Sequence, residues 1–227
     1  MQNHAIIALA ALVGICLFTS GCAIVESYGN YRERIKESRA AAQMREEGLL
    51  AHTAFRAETG WKRKTYRNET ILALATPANV SLEIALKNQR GFLLVQGAIA
   101  MDFPVASGKR SHPTPSGKFA IRSKKQNYHS NLYGKIMDVE GNVLVADADT
   151  RRDVLPEGAT FSGATMPYWM RLTDTGVGLH VGHVPGRPAS HGCVRLKREA
   201  ASKIFALVKA GTPVVIAESA PALNPKL

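Results

Sequence analysis

The feature that most constrains the fold is a series of short apolar runs that begins after Pro77. Each run is too short for a core helix and is separated from the next by glycine, proline or other turn-forming residues. Many short strands with frequent turn signals are typical of a sandwich or barrel. We therefore predict a mainly β sandwich over residues 78–218. The runs that define it are residues 80–86, 91–95, 98–105, 118–122, 143–146, 168–172, 177–181 and 214–217.

One or two short helices are expected to interrupt these strands. The clearest helix covers residues 197 to about 209, where Ile204, Leu207 and Val208 lie on one face and Gly211 provides a stop signal.

The segment before the strands, residues 22–77, has a different composition. Its stretch 31–58 is rich in Arg, Glu and Ala, which favour a helix, but its apolar residues are too sparse for a complete core-facing stripe. We predict a helical, partly ordered spacer, and docking of this helix onto a partner or onto the strand region stays open. Residues 219–227 are predicted to be a tail.

The first residues predict an export signal. Residues 5–18 carry no charged side chain and are too short to cross a bilayer as a helix. Small residues then precede Cys22, which resembles the bacterial lipobox, so we predict a lipoprotein-type signal peptide over 1–21 and an acylated Cys22. The predicted location is the periplasm, with a lipid anchor in the outer rather than the inner membrane because Ala23 is not acidic. An ordinary cleaved signal without lipidation is the alternative.

The charge balance favours an anionic partner. The 227 residues carry 29 Lys+Arg and 18 Asp+Glu, a formal net charge of +11, which attracts anionic surfaces and polymers. Aromatic residues make up only 7% of the chain, and no basic run is interleaved with the aromatic side chains on which single-stranded nucleic acids stack. We therefore expect an anionic lipid surface or an acidic wall polymer as partner, and no nucleic acid.

Cysteine usage points to reactivity. Cys16 would leave with the signal peptide and an acylated Cys22 has no thiol, so the exported chain would hold a single thiol, Cys193. One unpaired cysteine in an oxidising compartment cannot be a structural cross-link. It is either a small buried apolar residue or a residue whose reactivity is its purpose.

The segment 178–196 surrounds this cysteine with the groups that nucleophilic catalysis needs. His180 on an expected strand could act as base for Cys193, which follows a Gly/Pro loop. The N–H groups of Gly192 and Cys193 could form an oxyanion hole, and Arg195 offers a fork for a substrate carboxylate.

These residues resemble a known family. The run from Ser190 to Arg195, SHGCVR, with His180 upstream, resembles the signature of the L,D-transpeptidase (YkuD-type) catalytic domain. Residues 114–119, TPSGKF, resemble a second motif of that family, and residues 166–172, MPYWMRL, resemble its lipoprotein-like Gram-negative branch. Fewer residues separate the histidine from the SHGC block than in many members.

The resemblance implies a mechanism. Cys193 would attack the amide carbonyl on the L-centre of diaminopimelate in a peptidoglycan tetrapeptide stem and form a thioester as D-Ala leaves. His180 would move the proton, with its other nitrogen held by the Val181 carbonyl, while His191 and Ser190 would form the pocket or assist the oxyanion.

The resemblance also implies partners. An amine of another stem peptide, or a lysine of an anchored outer-membrane protein, would resolve the thioester in cell-wall biogenesis. No cofactor or metal is expected.

Other interpretations stay open at this point. Water could resolve the thioester, which would make the protein a hydrolase on the same scaffold, or the chain could be a non-catalytic wall-binding lipoprotein. A zinc site formed by His180, His183, His191 and Cys193 is chemically allowed, although the spacing does not match a common closed finger. His183 is interpreted as a loop histidine without an essential role, and Lys118 and the loop 112–115 are interpreted as architecture.

Overall fold

The computed structural model describes residues 33–220, and the predicted signal peptide and Cys22 lie outside the described residues. The described residues fall into two units, with the division between Glu46 and Glu47. Between residues 33 and 220, none of the helices combines the length and the apolarity that crossing a bilayer requires.

Three α-helices lie within the described residues. Residues 33–57 are helical (α1), α2 is Glu69–Ala73 and α3 is Arg198–Leu207, with a 3-10 turn at Trp61–Arg63 after α1. The Asn68 side chain caps α2 by accepting a hydrogen bond from the Ile71 N–H. The helix predicted over 197–209 is thus present with its ends shifted by one or two residues.

Thirteen strands lie in the described part of the second unit. They are β1 Tyr66–Arg67, β2 Val80–Ala85, β3 Arg90–Val95, β4 Ala98–Ala106, β5 Gly117–Ala120, β6 Ser123–Lys125, β7 His129–Met137, β8 Val143–Asp149, β9 Thr160–Thr165, β10 Trp169–Arg171, β11 Gly178–Val181, β12 Val194–Leu196 and β13 Pro213–Ala217. The prediction of a mainly β sandwich is confirmed.

Ten strands form one curled sheet in the order β5-β13-β2-β3-β4-β12-β11-β10-β6, with β1 paired to β4. Its central strands β3 and β4 are buried along their whole length, so their side chains are packed on both faces. Helix α3 contributes Ala200, Ala201 and Ile204 to the buried set.

The region predicted as a spacer is divided between the two units. Residues 47–66 belong to the strand-containing unit, where Phe55 and Tyr66 pack in a buried cluster with Phe92, Leu94 and Ile99 of the sheet. Phe55 therefore anchors the helical residues after Glu46 within this unit, because an aromatic ring buries a large area. Ala220 joins this cluster, so the segment predicted as a tail begins with a packed residue.

A separate three-stranded sheet, in the order β8-β7-β9, forms the remaining β structure. Strands β6, β7 and β9 are not predicted from the sequence, because their residues are largely polar and mixed in burial. Gly163 allows β9 to approach β7, since a Cβ there would lie 1.9 Å from the Ser130 carbonyl oxygen.

Candidate active site

The three strongest candidates from the sequence meet at one cavity. Strands β11 and β12 pair in parallel with His180 opposite Arg195, and Cys193 immediately precedes β12. Residues directly opposite in a sheet share a face. His180, Cys193 and Arg195 all line a cavity of about 690 Å³.

His180 is held as a neutral base. Its Nδ1 lies 2.8 Å from the carbonyl oxygen of Val181, and because a carbonyl can only accept, Nδ1 carries the proton and Nε2 is the basic nitrogen. The ring is 7% exposed. Burial lowers the pKa of His180 to about 4, assisted by the charge of Arg195 and opposed by the bond to Val181. The imidazole is therefore uncharged at neutral pH.

Cys193 is a neutral thiol in the same cavity. Burial raises its pKa above the ordinary 9.0, while the Gly178 backbone and the charge of Arg195 act in the opposite direction. Its Sγ lies 3.6 Å from the Gly176 carbonyl oxygen, to which the S–H is donated. Both effects of burial favour a neutral thiol and a neutral imidazole over an ion pair of thiolate and imidazolium.

Ser190 organises the turn that carries the cysteine. The residue is 1% exposed, and its Oγ accepts the Gly192 N–H at 3.1 Å while its hydroxyl donates to the Cys193 carbonyl oxygen. The Gly192 N–H is therefore occupied. This differs from the expectation that Gly192 and Cys193 both supply oxyanion donors, and it leaves the Cys193 N–H for that role.

Thr114, from the second family-like motif, lies beneath this turn. Its Oγ1 donates to the Gly192 carbonyl oxygen at 2.8 Å and accepts the Gly108 N–H at 2.8 Å. A Cβ at Gly108 would lie 2.0 Å from the His112 carbonyl oxygen and 3.0 Å from the Gly192 Cα. The loop before β5 thus approaches the cysteine turn at backbone distance, which is what the absence of a side chain at position 108 permits.

His191 lies on the cavity wall that the three-stranded sheet provides. Its ring stacks on Tyr133 with centroids 4.5 Å apart, and its Nε2 lies 2.9 Å from Lys109 Nζ and 3.3 Å from Asp147 Oδ2. Burial lowers the pKa of His191, while Asp147 acts in the opposite direction. These contacts are compatible with the interpretation of His191 as pocket wall.

Tyr133 and Asp147 are cavity residues that sequence reasoning misses. Tyr133 lies on β7, whose polar residues give no clear strand signal, and Asp147 lies at the polar end of β8, just beyond the run 143–146 that predicts this strand.

The Arg195 side chain packs closely against Gly182, the residue that follows β11. A Cβ at Gly182 would lie 2.8 Å from the Arg195 Cδ, so the side chain packs across the glycine. Within residues 33–220, no carboxylate lies within 4 Å of its guanidinium. The fork is therefore available for an acidic group that enters the cavity.

Of the four residues weighed as zinc ligands, His180, His191 and Cys193 line the cavity and His183 does not. In the described part of the chain, no three His, Cys, Asp or Glu side chains are placed to hold a metal ion. His183 lies in an exposed loop after β11.

Comparison with protein families gives one match over most of the chain. The family model described as the L,D-transpeptidase catalytic domain, YkuD, matches residues 79–216. A curated relative, probable L,D-transpeptidase 3 of Mycobacterium tuberculosis, is 30% identical over 122 residues, which are 51% of this chain and 38% of that protein. The chain thus spans well under half the length of this relative.

Solved structures of similar proteins include an L,D-transpeptidase from Mycobacterium smegmatis, 22% identical with a TM-score of 0.46 over 61% of this chain and 58% of that one. L,D-transpeptidase 3 from Mycobacterium tuberculosis is 20% identical, with a TM-score of 0.46 over 62% and 61% of the two chains.

Proposed function

The chain belongs to the YkuD family of L,D-transpeptidase catalytic domains, and from this premise we propose that Cys193 is the nucleophile of an acyl transfer on peptidoglycan stem peptides. The observation that carries the proposal is that a thiol and a neutral, tautomer-fixed imidazole line the same cavity, the imidazole on β11 and the thiol in the turn that leads into the paired strand β12. A nucleophile with a base within reach is the common requirement of covalent acyl transfer.

In the first half of the reaction the thiol turns from the Gly176 carbonyl to the basic Nε2 of His180. The sulfur attacks the amide carbonyl on the L-centre of diaminopimelate as Nε2 takes the thiol proton. The tetrahedral oxyanion accepts a hydrogen bond from the Cys193 N–H. The carbon–nitrogen bond then breaks, His180 returns the proton to the departing amine of D-Ala, and a thioester remains on Cys193.

In the second half an amine attacks this thioester. His180 accepts a proton from the attacking nitrogen, the carbon–sulfur bond breaks, and the sulfur leaves as a thiol after taking that proton. The acceptor is the amine of a second stem peptide, which gives a cross-link, or a lysine of an outer-membrane protein, which anchors that protein to the wall.

The charge of the cavity supports an acidic substrate. Arg195 and Lys135 both line the cavity, and within residues 33–220 neither lies within 4 Å of a carboxylate. Stem peptides carry carboxylates on diaminopimelate and on D-Ala, so a pocket with cations that have no internal partner matches their chemistry.

The site of action is proposed from the sequence alone. The residues before Cys22 support export and acylation, which would place the catalytic unit in the periplasm on a membrane anchor. Metabolic labelling with a fatty acid tests this, since label on the wild-type chain that is absent from Cys22→Ser supports the anchor and equal label on both contradicts it.

Incubation of the purified chain with tetrapeptide muropeptides tests the reaction. A cross-linked dimer detected by mass spectrometry, and absent with Cys193→Ala, supports the transpeptidase. Loss of D-Ala without a dimer, when amine acceptors are present, would instead identify a hydrolase. Unchanged substrate would contradict catalysis and favour a wall-binding protein.

A further inference from the structure

The motif residue Thr114 is not used by the proposed chemistry, yet it is buried directly against the peptide bond that precedes the nucleophile. Its side chain is 6% exposed, and it is not among the residues that line the cavity. Its hydroxyl contacts the Gly192 carbonyl oxygen at 2.8 Å. The hydroxyl therefore acts on the backbone and does not touch the substrate.

We propose that Thr114 is a positioning residue that orients the Gly192–Cys193 peptide so that the Cys193 N–H faces the cavity as the oxyanion donor. The inference rests on the proposed acyl transfer at Cys193 and explains why a threonine stands at this point of the loop.

The geometry of a trans peptide carries the first step. The described chain contains no cis peptide bond, and in a trans peptide the C=O and N–H of the same unit point in opposite directions. Thr114 holds the Gly192 carbonyl toward the buried side of the turn. The Cys193 N–H must then point to the other side, where Gly192 and Cys193 line the cavity.

The hydroxyl of Thr114 is itself fixed. It accepts the Gly108 N–H at 2.8 Å, so its single proton is directed to Gly192. The same loop is tied to the turn by the Ser107 carbonyl oxygen, which accepts the N–H groups of Ala189 and Ser190 at 2.8 and 3.0 Å. The loop and the cysteine turn are thus joined by several hydrogen bonds.

Gly192 makes this restraint necessary. Its φ of +112° lies in a region that glycine adopts readily and other residues rarely do. The same freedom allows the following peptide to rotate, and a rotated peptide would present the Gly192 carbonyl oxygen to the cavity in place of the Cys193 N–H. Ser190 restrains the Gly192 N–H and the Cys193 carbonyl. The peptide between them is restrained by the hydrogen bond from Thr114 to the Gly192 carbonyl oxygen.

The test separates oxyanion stabilisation from every other property of the thiol. Acylation of Cys193 by a carbapenem passes through a tetrahedral oxyanion, whereas alkylation by iodoacetamide displaces iodide at carbon and forms no oxyanion. Thr114→Val keeps the shape and removes the hydroxyl. We expect it to slow acylation roughly 10²-fold, the order that loss of one oxyanion donor gives, while alkylation changes by less than about twofold because the thiol pKa is unaffected.

Two further variants act as controls. Thr114→Ser keeps the hydroxyl and is expected to restore acylation to nearly the wild-type rate. Thr212→Val removes the hydroxyl of another buried threonine, which accepts the Lys209 N–H at the start of β13, and should leave both rates at the wild-type level. If thermal unfolding shows that Thr114→Val does not fold, Thr114→Ala gives the same comparison with a smaller side chain.

The outcomes are distinct. Acylation of Thr114→Val at the wild-type rate would overturn the inference, and an equal loss of acylation and alkylation would show a structural role in place of a positioning one. A failure of the proposed function gives another result, because then the wild-type chain forms no adduct on Cys193, or Cys193→Ser forms one as well, and the inference falls with it.

Discussion

The Nδ1 of His180 lies 2.8 Å from the carbonyl oxygen of Val181, the next residue on β11. A histidine ring bonded to its own neighbour's carbonyl cannot turn without losing that bond, so the tautomer and the direction of Nε2 are set by the strand. In a Ser-His-Asp triad this orienting group is a carboxylate, which also stabilises the imidazolium. Here the orienting group is a neutral carbonyl. It fixes the tautomer of the ring without adding a negative charge that would favour the imidazolium.

From this arrangement we expect His180→Ala to lower the rate of acylation by a carbapenem about 10²-fold or more, the usual contribution of a general base. His183→Ala is the matched control, because His183 lies in an exposed loop three residues away and should acylate at the wild-type rate. Equal losses in the two variants would place the base elsewhere.

The resting protonation state gives a second prediction. Because burial raises the pKa of Cys193 and lowers that of His180, the free enzyme holds little thiolate at neutral pH. The rate of alkylation by iodoacetamide should therefore rise continuously with pH to above about pH 9, the ordinary cysteine range. A plateau of fast alkylation between pH 5 and pH 8 would reveal a thiolate–imidazolium ion pair and contradict this assignment.

A third prediction concerns stability in acid. His180 has a folded-state pKa of about 4 against 6.5 for an unperturbed histidine, so between these values the unfolded chain binds a proton that the folded chain does not. The contribution to stability is complete above pH 6.5 and is lost as the pH falls toward 4, about 3 kcal/mol in total. Urea unfolding of His180→Gln, which does not titrate in this range, should show a correspondingly shallower pH dependence than the wild type. Parallel curves for the two proteins would contradict a buried neutral His180.

The sequence predicts the parts of this molecule whose residues face only the core. Strands β2 to β4 are recognisable because their apolar residues are continuous or alternate, and α3 because Ile204 and its neighbours lie on one face. Strands β7 and β9 are not recognisable, because the sheet that they form borders the cavity. Their residues are largely polar and mixed in burial, so they show neither a continuous apolar run nor a regular alternation.

At the site, the residue types are readable from sequence and their hydrogen bonds are not. Cys193, His180 and Arg195 follow from chemistry and spacing, and they do line one cavity. The occupation of the Gly192 N–H by Ser190 depends on a rotamer within the turn, and the stacking of Tyr133 on His191 depends on a contact between segments far apart in the chain. No local pattern encodes either.

A buried group of charged side chains joins the helical residues around His52 to the sheet, and it gives a fourth prediction. His52 Nε2 lies 2.7 Å from Asp102 Oδ2, and Arg90 Nε donates to Asp102 Oδ1 at 2.6 Å, with all three side chains buried. Burial lowers the pKa of Arg90 and Asp102 opposes that effect. Asp102→Ala would leave a buried guanidinium without its counter-charge, and we expect a loss of about 3–5 kcal/mol in the free energy of unfolding.

The control for this loss is Glu58→Gln, which breaks the exposed pair of Glu58 and Lys64. An exposed pair contributes at most about 1 kcal/mol, so the two variants should differ clearly in urea unfolding. If the free energy of unfolding falls no more in Asp102→Ala than in Glu58→Gln, the buried contacts of Asp102 with His52 and Arg90 do not stabilise the fold.

The last prediction assigns Arg195 to substrate recognition. Its guanidinium has no carboxylate partner within residues 33–220 and lines the cavity beside Cys193, so a carboxylate of the stem peptide can supply one. A charge-assisted hydrogen bond of this kind contributes about 1.5–3 kcal/mol, or roughly 10- to 100-fold in kcat/KM. Arg195→Met should lose that factor toward a tetrapeptide stem with free carboxylates and much less toward the same stem amidated at the diaminopimelate side-chain carboxyl.

Arg187→Met, in the exposed loop between β11 and the cysteine turn, is the control and should keep the wild-type preference for the free acid. If Arg195→Met discriminates between the acid and the amide as the wild type does, the carboxylate is recognised elsewhere in the cavity, with Lys135 the next residue to replace.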